Sequence, residues 1–169
     1  MIIRNQQTYS LKQKRDPFLM KQFMREALRS GSIAAIAMIP FALLFSMAGM
    51  RINEYGKKTI QLFFGNFPSG IRFALFVIEH FILSWIIAIP LLLLLKSFHH
   101  RIPRLLLGAL YGAVFYILVN SLLLPSLFND VTPWKLDFTK TILPSLVVHI
   151  VYGLSIALTS LRFINKIIT

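Results

Sequence analysis

The chain has 169 residues, 56% of them hydrophobic and only 14% charged. A soluble domain carries about 25% charged residues, so no soluble domain remains once the apolar stretches are set aside, and one membrane-embedded unit is expected. The formal charge of +12 would suit nucleic acid. The basic side chains, however, lie almost wholly outside the apolar runs, where they meet anionic lipid head groups, so nucleic acid is not an expected partner. The absence of cysteine excludes disulfides, thiolate metal sites and covalently attached haem.

Residues 1–29 form a basic cytoplasmic segment in this reading, and residues 30–169 a four-helix transmembrane domain. Asp16-Pro17 reads as a helix start, with Asp as cap and Pro at the first helical position. Phe18, Leu19, Phe23, Met24, Ala27 and Leu28 then oppose Lys21, Gln22, Arg25 and Arg29. That spacing predicts an amphipathic helix lying on the membrane surface, or else an extension of the first span. The first apolar stretch follows too long a polar segment for a secretory signal.

Four spans are predicted, at about 30–50, 71–95, 102–127 and 141–164, each long enough to cross about 30 Å of hydrocarbon. Pro40 should kink the first, and Pro90, Pro103, Pro125 and Pro144 mark the others. Between spans one and two, Thr59–Phe67 is too apolar for a free loop and too short to cross. It should lie in the outer interface, with Tyr55, Trp134 and Phe138, or dip back into the protein. His99-His100-Arg101, in the turn between spans two and three, suits head-group contact better than metal. Twelve Lys and Arg fall on the side of the two termini and six on the other, so both termini are expected in the cytoplasm.

Ionisable groups inside hydrocarbon are costly and mark functional positions. The spans hold three deep ones, Glu79, His80 and His149, and the amide Asn120. Counting at about 1.5 Å per residue puts all four about 12 Å in from the outer face. A polar layer facing the bundle interior would handle a proton, an ion or a small solute, with Glu79 pairing a protonated histidine or staying neutral. Alternatively, the same groups hydrogen-bond across helices and fix packing. Adjacent residues on a helix point about 100° apart, so Glu79 and His80 make a poor metal site. No metal or other cofactor is expected.

Small residues predict close helix contact. Gly108 and Gly112, with Ala109 and Ala113, let a neighbour approach span three, as Gly31 and Ala35, with Ser30 and Ala34, do on span one. A tight contact within the chain or a homodimer interface would use them. His80 and His149 are each followed four positions later by a small residue, Ser84 or Gly153, and then by an apolar run. This fits two copies of one helical hairpin related by an axis along the membrane normal, or chance likeness between apolar helices.

The order of these pieces resembles the YagU-like bacterial inner-membrane proteins and related four-helix membrane families. The resemblance runs over about residues 30–164 and rests on Gly108–Ala113, Leu124-Pro125 and His149–Gly153, while the long basic N-terminus departs from it. It implies an all-α, polytopic architecture in a bacterial inner membrane and supplies no reaction. No P-loop, G-x-S-x-G, H-E-x-x-H or zinc spacing occurs, so an enzyme is not expected. Small-solute or ion handling, or an accessory role in a membrane complex, fits the residues best.

Overall fold

Hydrocarbon offers the backbone no hydrogen-bond partners, so apolar runs of this length satisfy themselves as helices. The computed structural model describes residues 3–168 other than 53, 54, 66, 99, 133, 134 and 136, with side chains over 20–167. The chain is all-α. Helix α1 runs over Ile3–Met47, α2 over Tyr55–Phe64 and α3 over Ser69–Ser97. Helix α4 runs over Arg104–Leu127, α5 over Phe138–Thr159 and α6 over Leu161–Ile168. Four segments are long and apolar enough to cross a membrane, Met20–Met47 of α1 together with α3, α4 and α5, which is the pattern of a multi-pass membrane protein.

Three features add detail to the sequence reading. The basic segment continues into span one as one helix, without a break at Asp16-Pro17; the side chains of 3–19 lie outside the described residues, as do His99 and Trp134. The fourth apolar helix ends at Thr159, where a turn at Ser160 starts the separate helix α6. The apolar segment after span one folds as the two-and-a-half-turn helix α2, buried on Tyr55 and Ile60 and exposed on Leu62, Phe63 and Phe64.

The helix ends have local causes. Gly49 and Gly65 take positive φ, +72° and +73°, just past the ends of α1 and α2. A left-handed residue there lets the chain turn away while its N–H bonds back to the last turn. Prolines shape the interiors of α4 and α5. A proline donates no N–H and crowds the carbonyl four residues earlier. Tyr116–Leu123 in α4 is accordingly π-helical just ahead of Pro125, with Leu124 N–H reaching back five residues to Val119 O. Phe138–Ile142 widens in the same way ahead of Pro144, with Leu143 N–H bonded to Phe138 O.

Helix α5 is the central span. It packs on α1 and α4, and α1 packs on α3. Half of its most apolar stretch is buried, against 22% for spans one and two. The core lies toward the end carrying both termini, where Ala27, Ala34, Leu91, Leu92, Leu95, Ile156 and Ile164 are buried. The opposite end is tied by polar contacts. Lys58 of α2 pairs with Asp130, Tyr55 stacks on Phe128 at 5.9 Å, and Arg51 N–H bonds Lys140 O at 2.7 Å. Burial, with the Asp130 carboxylate nearby, pushes the Tyr55 hydroxyl above the usual phenol range.

Candidate functional site

The crossings of α1 with α3 and of α4 with α5 position the polar residues. At the second crossing, glycine brings backbone against backbone. A methyl group on Gly108 would stand 2.5 Å from Gly153 O, and one on Gly112 or Gly153 would collide with His149 O or Gly108 O. The small face of α4 is thus occupied within the chain. At the first crossing a Cβ on Gly31 would stand 3.1 Å from Ser84 O and from the Trp85 ring. Ser84 Oγ donates to Gly31 O at 2.7 Å, and Trp85 Nε1 donates to Ser32 Oγ at 2.9 Å.

The four intramembrane polar residues do not converge on one point. Asn120 and His149 meet. His149 donates from Nδ1 to Ser145 O of its own helix, at 2.6 Å, and its Nε2 takes the Asn120 amide. The carbonyl on Nδ1 fixes the tautomer, leaving Nε2 as the acceptor. Phe115 and Tyr116 hold the ring, with centroids 5.9 and 5.5 Å away. His80 sits elsewhere, its Nε2 facing Ala35 O at 3.4 Å and its ring stacked on Phe76. Glu79 turns to α2. Its carboxylate lies where a side chain on Gly56 would stand 2.6 Å away, and it makes no hydrogen bond or ion pair among the described residues.

Two further residues belong to this place. Tyr116 and Ser121 are fully buried, and both fall in the π-helical stretch that carries Asn120. Their hydroxyls lie close to each other but neither makes a hydrogen bond of ordinary geometry. Leaving a buried polar atom unpaired costs about 1–3 kcal/mol, and a π-bulge often marks a functional position. Sequence reasoning passes over both, since Tyr and Ser are ordinary in membrane helices. The available signal was their spacing around Asn120, one and four positions away, ahead of Pro125.

Chemically, the Asn120–His149 pair with two spare hydroxyls offers donors and acceptors to a small polar species, and a nitrogen that takes a proton if Asn120 moves. Among the described residues no three His, Cys, Asp or Glu side chains gather as metal ligands would. No family model, no curated protein and no solved structure matches this chain.

Proposed function

We propose that this chain is a bacterial inner-membrane protein, both termini cytoplasmic, that handles a proton or a small polar solute at the Asn120–His149 pair. The carrying observation is the pair of buried hydroxyls of Tyr116 and Ser121 beside it, which lie close to each other and meet no partner of ordinary hydrogen-bond geometry among the described residues. A site built only for packing gains nothing from orphaned polar atoms, whereas one that takes up water, a proton or a solute uses them. His80 and Glu79, which face Ala35 O and Gly56, would not be direct ligands. The YagU-like resemblance is part of this reading, and its matched pieces Gly108–Ala113 and His149–Gly153 fall at the α4–α5 crossing.

The test is proton flux in liposomes loaded with a pH-sensitive dye. Wild type should exceed protein-free vesicles. Asn120→Leu and Tyr116→Phe should abolish the excess while their thermal unfolding stays cooperative. Wild-type flux no greater than that of empty vesicles, across small polar solutes as well as protons, would end this reading. A reporter fused after Thr169 should read as cytoplasmic.

The second reading is an accessory or scaffold subunit, with the pair as packing glue. It is favoured by one fact: both His149 ring nitrogens are already engaged. A fixed-ratio partner after gentle detergent extraction would support it. A homodimer would have to use a face other than Gly108 and Gly112.

A further inference from the structure

The end of the molecule that carries both termini holds a cleft of about 540 Å³ where α1, the last turn of α5 and the start of α6 meet. Its polar walls are Glu26, Arg29, Thr159, Arg162 and Lys166. Glu26, 7% exposed, is the one acid among the described residues that line it. Arg29 takes up both of its oxygens, donating from Nε at 3.0 Å and from Nη2 at 2.6 Å, and also reaches Thr159 O at 2.5 Å. That carbonyl belongs to the last turn of α5, which has no N–H of its own helix to accept from. Arg29 therefore latches α1 to α5 and neutralises Glu26. Arg162 and Lys166 remain, with no hydrogen bond or ion pair to any described residue, and they give the cleft a net positive charge.

The apolar side of the cleft fixes the class of ligand. Leu158 and Leu161 line it and are 52% and 37% exposed. Leu158 closes a segment long and apolar enough to cross a membrane, and Arg162 and Lys166 follow at four-residue intervals. Leucines come first and cations next, in the order a glycerophospholipid presents its chains and its phosphate at the edge of a bilayer. A soluble phosphate would need the cations but not the leucines.

We infer that this cleft binds the phosphodiester head group of one anionic glycerophospholipid, with Arg162 and Lys166 on the phosphate and Leu158 and Leu161 along the upper acyl chain. The site rests on the chain spanning a membrane and is independent of the Asn120–His149 pair. It differs from the general attraction of the basic N-terminal segment because it is a single, saturable place.

Native mass spectrometry of the full chain in detergent, titrated with phosphatidylglycerol, tests this. One adduct should form at low lipid and none with phosphatidylcholine. Arg162→Ala/Lys166→Ala should weaken that adduct at least tenfold, with unfolding temperature unchanged because both side chains are exposed. Lys12→Ala/Lys14→Ala, which removes the same charge from the N-terminal segment, should leave it intact. Equal loss in both double variants, or none in either, overturns the site. Displacement by millimolar inorganic phosphate would show a free-anion site instead and overturn the lipid assignment. None of these outcomes depends on proton flux or on which way the termini face, so failure here is separable from failure of the proposed function.

Discussion

The hairpin of α1 with α3 and the hairpin of α4 with α5 cross in the same register by different means. In the first, Gly31 faces Ser84, and four residues along each helix Ala35 faces His80. In the second, Gly108 faces Gly153, and four residues along each helix Gly112 faces His149. The buried positions continue in step, Ala88 and Leu95 in α3 matching Ala157 and Ile164 beyond Gly153. What differs is the filling. Serine, alanine and tryptophan hold the first pair at side-chain distance, whereas glycine lets the second close to backbone contact. The difference shows how one crossing can bind its histidine weakly and the other hold it between two fixed partners.

The largest effect should come from filling the tighter crossing. Gly153→Ala puts a methyl group into Gly108 O, an atom that cannot give way, and should cost about 3 kcal/mol. Gly31→Ala meets Ser84 O at 3.1 Å, and about 0.5–1 kcal/mol of gained helix propensity offsets much of its strain. Thermal or denaturant unfolding in one detergent should rank the two widely apart, and equal losses would erase the distinction between the crossings.

Next come the histidines. His149→Ala strands the Asn120 amide and should lose about 1–2 kcal/mol. His80→Ala gives up one long contact at 3.4 Å and should lose about 0.5 kcal/mol. A stability loss for His80→Ala as large as for His149→Ala would mean the first hairpin uses its histidine as fully as the second.

The smallest effect lies at the helix starts. Asp137 caps α5, accepting from Thr139 N–H at 2.9 Å and from the Thr139 hydroxyl at 2.7 Å, while Pro68 at the start of α3 offers no side-chain cap. The Thr139 hydroxyl, then the Lys140 and Thr139 amides, hold the Asp137 carboxyl below its ordinary range. The folded pKa being the lower one, this stabilisation is complete above the unfolded value, about 3.9, and fades as pH falls through the folded value. Unfolding temperatures followed below pH 5 should therefore fall more for wild type than for Asp137→Asn. Parallel curves would remove the cap from the account.

Much of the fold was legible because hydrocarbon imposes long apolar helices on any chain with these runs. Gly108-x-x-x-Gly112 likewise announces a close approach wherever it occurs. The candidate site was legible only in part. Counting residues along separate helices gives depth, and depth grouped Glu79, His80, Asn120 and His149. It gives no azimuth. Glu79 and His80 point about 100° apart, so one turns toward Gly56 and the other toward Ala35, a split that no count of depth contains.

The sequence by itself determined the class of this protein, its four apolar helices and the residues that no lipid-facing surface would carry. Only the tertiary structure decided which helix sits at the centre, that Asn120 rather than Glu79 meets His149, that the hydroxyls of Tyr116 and Ser121 are buried close together beside that pair, and that Arg29 spends Glu26 at the other end. The physical reason is the range of each effect. Hydrophobicity and helix formation are local and summed along the chain, while a hydrogen bond needs two atoms within about 3 Å, and which helix faces bring them there is set by packing between segments far apart in sequence.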